Sequence, residues 1–173
     1  MLTKTYSRRD LGLGAAALAL TACAKTGSEA KAAEVKTVTQ TASNIDWANL
    51  TEAEWENRLT AVEFHVLRQE GTERPGSSPL NNEKRAGTFV CAGCELPLFT
   101  SDKKYDSGTG WPSFFDVIDG AVETKVDRKL FVARTEYHCS RCGGHQGHVF
   151  NDGPQPTGLR YCNNGVALKF IEA

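Results

Sequence analysis

Two tight cysteine pairs, Cys91-Ala92-Gly93-Cys94 and Cys139-Ser140-Arg141-Cys142, constrain this chain more than any other feature. A fifth cysteine, Cys162, stands alone in the run Arg160-Tyr161-Cys162-Asn163-Asn164. Two C-x-x-C knuckles can close one tetrahedral thiolate shell around zinc, and a structural site of that kind leaves no coordination position open. A single C-x-x-C could also be a redox pair, and in an oxidising compartment two could be disulfides. Here 44 residues separate the pairs, and each has glycine at its turn: Gly93 inside the first, Gly143 and Gly144 after the second. A redox dithiol needs only one pair, so the duplication favours metal. Such a metal ties distant hairpins together and replaces core that a small domain cannot build. Chemistry then falls to the solitary thiol.

Not all 173 residues belong to the fold. Residues 1–22 read as an export signal: Lys4, Arg8 and Arg9 precede an apolar stretch from Leu11 to Ala22, too short to span a bilayer. Ser7-Arg8-Arg9-Asp10-Leu11 resembles the twin-arginine motif of bacterial proteins exported already folded. Leu20-Thr21-Ala22-Cys23 resembles a lipobox, which would make Cys23 the acylated first residue of the mature chain; ordinary cleavage after Ala24 is the alternative. The expected location is therefore the bacterial periplasm or cell envelope, with membrane contact only through a lipid anchor at Cys23. Residues 23–46, free of aromatics and rich in Ala, Thr, Lys, Glu and Ser, read as a flexible tether, and 47–173 as one domain. Removing residues 1–22 takes away three basic residues and one acidic one, leaving 17 basic against 20 acidic. That charge gives no support for nucleic-acid binding.

Local signals open the domain with two short helices. Thr51-x-x-Glu54 is a capping box, with Trp55, Leu59 and Val62 at helical spacing; Thr60-x-x-Glu63 is a second, ahead of Phe64 and Leu67, and Gly71 ends the run. Arg74 to Gly87 reads as a loop. Short runs rich in β-branched and aromatic residues follow: Thr88–Val90, Leu96–Phe99, Val117–Ile118, Ala121–Val122, Leu130–Tyr137, His148–Phe150 and Tyr161–Phe170, with a hairpin turn at Asp119-Gly120. No long helical pattern separates them, which excludes a parallel α/β sheet and predicts a mainly β, antiparallel domain with the zinc at one end of its sheets.

Three elements could supply chemistry. Alternation along a strand puts Arg160, Cys162 and Asn164 on one face, where the cation favours thiolate; the bland option is an inert buried cysteine beside Val166-Ala167-Leu168. His145 and His148 could ligate metal, act in acid–base chemistry or sit satisfied in a core. Gly108-Thr109-Gly110-Trp111-Pro112 describes a rigid loop presenting an indole suited to a methyl or thioether group, unless Trp111 is simply core.

These motifs together resemble one family, the peptide-methionine (R)-S-oxide reductases of the MsrB class. The matching runs are Thr72-Glu73-Arg74-Pro75, the two knuckles, Tyr105-Asp106-Ser107-Gly108-Thr109-Gly110-Trp111-Pro112-Ser113-Phe114, His145-x-Gly147-His148-Val149-Phe150, Asp152-Gly153-Pro154 and Arg160-Tyr161-Cys162-x-Asn164. The resemblance covers about residues 47–171. It implies two antiparallel sheets, and one structural zinc ion held by Cys91, Cys94, Cys139 and Cys142. It also implies Cys162 as nucleophile, Trp111 against the substrate methyl group, His145, His148 and Asn164 orienting and protonating the sulfoxide oxygen, and Arg160 and Asp152 supporting the site. The implied substrates are oxidised proteins or peptides carrying methionine-R-sulfoxide, and Cys162 would pass through a sulfenic acid.

Two departures matter. Many members of that family place a resolving cysteine where this chain has Thr109, so recycling is expected to need an external thiol reductant, thioredoxin-like or other. An unacylated Cys23 on its tether is the competing source of a thiol. Asn163 stands where an apolar residue is usual, which would bear on strand packing or reductant access. Outside the enzyme reading remain a zinc-pinned β binding module without catalysis and a thiol–disulfide exchanger using the C-x-x-C pairs.

Overall fold

The structure, a computed structural model, describes residues 45–129 and 132–173. The expectations for the export signal, for Cys23 and for nearly all of the tether lie outside the described residues. Among those described, no helix is long and apolar enough to cross a membrane.

Both capping boxes form. Thr51 and Glu54 close the start of α1 (Glu52–Glu56), and Thr60 and Glu63 that of α2 (Ala61–Gln69). The second box restarts the helix and breaks the first one's period, so Val62 is exposed although its spacing from Trp55 suggested an inward face. Glu70, in the left-handed region, ends α2.

Among the described residues, nine strands follow in two antiparallel sheets. They are β1 (Gly87–Cys91), β2 (Pro97–Thr100), β3 (Lys104–Tyr105), β4 (Ser113–Phe114), β5 (Val122–Asp127), β6 (Arg134–Cys139), β7 (His145–Phe150), β8 (Arg160–Asn163) and β9 (Leu168–Glu172). The small sheet runs β2-β1-β9 and the large one β3-β4-β8-β7-β6-β5. Aromatic side chains fill the space between them. Phe99 of β2 stacks on Phe114 of β4 at 4.0 Å between centroids, Phe89 of β1 meets Phe114 edge-on at 5.0 Å, and Tyr137 and Tyr161 close the cluster at 5.3 Å. Contacts of this kind add about 0.5–1.5 kcal/mol each beyond the area they bury.

The mainly β expectation is met, but some strand assignments are corrected. Val117-Ile118 forms no strand; the Ile118 amide donates singly to the Leu98 carbonyl, and the turn at Asp119-Gly120 follows without a hairpin. The run Tyr161–Phe170 is broken between β8 and β9 by a 3-10 turn, Gly165–Ala167. That turn exists because the Glu73 carboxylate accepts the amide protons of Gly165 and Val166 at 2.5 and 3.2 Å, drawing the chain out of strand geometry. The Arg74–Gly87 loop holds a 3-10 turn, Pro79–Asn82.

Candidate active site

The two knuckles fold alike. In each, the residue after the second cysteine takes a positive φ (Glu95 at 61°, Gly143 at 66°) and returns its amide to the first cysteine's carbonyl at 2.8 Å. The amides of Cys91 and Cys139 close each turn onto Leu96 and Gly144 at 2.9 Å. One knuckle extends from the small sheet and the other joins β6 to β7, so the four buried sulfurs meet between the sheets, all within 4.8 Å of one another. Cys91–Cys142 and Cys94–Cys139 stand at 3.7 and 3.5 Å, far beyond a disulfide bond. A tetrahedral shell with metal–sulfur bonds of about 2.3 Å has edges of about 3.8 Å, so this cage could hold a metal ion. Four thiols this close and buried cannot all ionise unaided, and a bound cation would let them do so. Arg68 and Arg141 bring positive charge to the cage through the carbonyls of Cys142 and Cys94.

Cys162 lies on the opposite side of the large sheet from the aromatic core. It pairs with Ser113 of β4 on one flank and His148 of β7 on the other, and Glu136 of β6 pairs with His148 beyond it. His145 and His148, three residues apart, would face opposite ways on a regular strand. A β-bulge corrects the parity: His138 pairs with His145 and Tyr137 with Gly147, leaving Gln146 as the extra residue. Both rings then share a side, with centroids 5.6 Å apart. Gly147 is needed there because a Cβ would run into the Cys162 carbonyl.

A cleft of about 120 Å³ opens over Cys162, lined by Thr72, Trp111, Arg134, His148, Phe150 and Asn164 among others. Trp111 is held by its indole N–H, which donates to the Glu73 carbonyl at 3.1 Å. Its loop turns on Gly108 and Gly110, at φ 71° and 89°. The Asn164 side chain is held at both ends, accepting the Glu73 amide at 3.0 Å and donating to the Gln146 carbonyl at 3.0 Å. Arg160 grips Asp152 through two bonds of 2.8 Å and lies 4.3 Å over the Phe150 ring.

Burial pushes the Cys162 thiol up, against the hydroxyl of Thr109 at 3.9 Å and the charge of Arg160. The expected help from Arg160 has the right sign, but desolvation outweighs it. Burial likewise lowers His148 below its ordinary value, against the Asp127 carboxylate. Asp127, itself held well below the carboxylate range by the Lys129 amide and by His148, accepts His148 Nε2–H at 2.7 Å and Arg134 at 2.6 Å. On the neighbouring strand Glu136 accepts His145 Nδ1–H at 2.6 Å; both residues are only 2% exposed. His145 Nε2 has no hydrogen-bond partner among the described residues. Each histidine therefore has one nitrogen fixed by a carboxylate.

The structure thus gathers Cys162, His148, Asn164 and Trp111 around one cleft, with His145 behind His148, and Arg160 and Asp152 at its edge beside Phe150. Sequence reasoning missed Asp127, Glu136 and Glu73, which hold the histidines, Asn164 and Trp111. Asn163 is wholly buried, with its side chain bonded to Tyr137 and Gln146, so it bears on strand packing.

The SelR domain matches residues 59–172. A peptide methionine sulfoxide reductase MsrB of Methanosarcina barkeri is 55% identical over 121 residues, covering 69% of this chain and 85% of the relative. The MsrB of Leptospira interrogans is 50% identical over 123 residues, covering 70% and 94%. The chain belongs to the MsrB family. The likeness extends to a chloroplast member, peptide methionine sulfoxide reductase B1 of Arabidopsis thaliana, 47% identical over 131 residues, which cover 75% of this chain and 65% of the relative. The matched MsrB domain contains both knuckles, the Trp111 loop and Cys162, so the described site falls inside the family's shared region.

Proposed function

We propose that this protein reduces the R epimer of methionine sulfoxide in proteins and peptides, with Cys162 as the nucleophile. The observation behind this reading is a single thiol at the floor of a cleft walled by Trp111 and Phe150, with His148 directly across the strand pair. The indole and phenyl faces suit the methyl and thioether groups of the substrate.

Cys162 sulfur attacks the electrophilic sulfoxide sulfur while a proton passes to the sulfoxide oxygen. The thiol supplies that proton through His148, Asn164 orients the oxygen, and His145 backs His148 from behind. The oxygen then passes from the substrate sulfur to Cys162 as the transient S–S bond and the substrate S–O bond break, leaving a sulfenic acid and releasing methionine. Cys162 loses two electrons and the substrate sulfur gains them. An external dithiol of the thioredoxin type then displaces water from the sulfenic acid, forms a mixed disulfide and resolves it, which restores the Cys162 thiol. The four-cysteine cage holds zinc as a structural ion and takes no part in the reaction.

The chain is exported through the twin-arginine route and anchored by acylated Cys23 in the cell envelope, where it repairs oxidised proteins. The mass of the N-terminal peptide from membrane-isolated protein tests this; an unmodified Cys23 would remove the anchor. For the chemistry, one turnover without reductant should yield one equivalent of methionine and one oxygen atom on Cys162, found by mass spectrometry. Methionine release with Cys162 unmodified would rule the scheme out.

A further inference from the structure

Gln146 is the bulged residue of β7. The distortion that brings His145 and His148 together sends its side chain the other way, into the core beside Asn163 and Tyr137. All three polar side chains are 0% exposed. The Tyr137 hydroxyl donates to Asn163 Oδ1 at 2.6 Å, across the gap left by Gly147. Asn163 Nδ2 donates to the Asn164 carbonyl at 2.8 Å and reaches Gln146 Oε1 at 3.4 Å. With its oxygen so engaged, Gln146 turns its NH₂ to Cys91 Sγ at 3.4 Å and the Gly144 carbonyl at 3.4 Å. Its main-chain carbonyl takes both donors of Asn164, the amide at 2.8 Å and Nδ2 at 3.0 Å. Apart from the bond that steadies Asn164, none of these is used in the reaction above.

We infer that Gln146 is a positioning residue of the metal centre: its amide donates a hydrogen bond to the metal-bound Cys91 sulfur and fixes the cage to the segment that holds Asn164. The inference rests on reading the four cysteines as a metal cage. Four thiolates around a divalent ion leave net negative charge in a buried place, where a donor N–H aimed at sulfur stabilises it. Arg68 and Arg141 reach only cage carbonyls, so Gln146 supplies a side-chain donor directly to a sulfur. The Tyr137–Asn163 pair presets its orientation, because Asn163 can offer only its NH₂ to Gln146.

The test uses the full chain loaded with cobalt(II), whose sulfur-to-metal charge-transfer band reports the energy of the thiolate lone pairs. Gln146→Leu removes the donor; Gln146→Met does so with a flexible side chain, should leucine fail to fold. The inference predicts a band shifted to lower energy in the variant, and chelator-driven metal loss about tenfold or more faster than wild type, with unchanged far-ultraviolet circular dichroism. A loosened core alone would not move the band. An unshifted band with release within twofold of wild type would overturn the inference. Wild-type protein that binds no cobalt through thiolates would overturn the cage reading itself, a separately recognisable result.

Discussion

His148 donates from Nε2 to Asp127 Oδ2 across two intervening strand pairings, over 2.7 Å, and the same carboxylate oxygen accepts Arg134. The carboxylate fixes which imidazole nitrogen carries the proton and leaves Nδ1 as the nitrogen that can exchange one. Asp127→Asn keeps the shape but loses the charge that favours imidazolium. Turnover should fall by about tenfold or more with KM nearly unchanged. Steady-state kinetics check this, and a variant within twofold of wild type would detach Asp127 from the proton transfer.

The pH profile follows from two opposite shifts. The His148 pKa is lowered and the Cys162 pKa is raised, so in the free protein the pair shares one proton over a wide middle range. Below the His148 pKa an extra proton blocks thiolate formation; above the Cys162 pKa the proton needed by the oxygen is gone. Single-turnover methionine release should therefore rise through a pKa below 6.5, stay level, and decline only above pH 9. A single rise centred near pH 8 would show that thiol ionisation alone sets the rate.

The cage binds a knuckle from each sheet, so losing one ligand loosens both. Cys139→Ser should abolish stoichiometric metal and cost on the order of 5 kcal/mol of stability, because metal-binding energy is folding energy in such sites. Metal analysis and thermal unfolding measure both; an unchanged melting temperature would mean that the sheets hold without the cage.

Thr109 stands 3.9 Å from the Cys162 sulfur through its hydroxyl. Thr109→Cys should place a second thiol where it can attack the Cys162 sulfenic acid. After one turnover that variant should contain a disulfide between the introduced thiol and Cys162, with no sulfenic acid left, as peptide mapping would reveal. Persistence of the sulfenic acid would show that the loop keeps position 109 out of line.

What the sequence made legible was local or chemically distinctive. The capping boxes needed only residues three apart, and both knuckles needed only cysteine and a turn. Strands β3 and β4, two residues each, exist through pairing with one another and, for β4, with β8, and carry no propensity signal. The break at Gly165 depends on Glu73, 92 residues away. Asp127 and Glu136 look like solvent-face residues of alternating strands, and only the register across β5, β6 and β7 brings them to histidines. The bulge at Gln146 was likewise hidden, since alternation alone would have separated His145 from His148.

The most direct test supplies separated R and S epimers of a blocked methionine sulfoxide, with excess dithiol, to wild-type protein and to Cys162→Ser. The account predicts turnover of the R epimer alone, lost in the variant. Turnover of the S epimer, equal activity in Cys162→Ser, or no turnover of either epimer by folded, metal-loaded protein would contradict it.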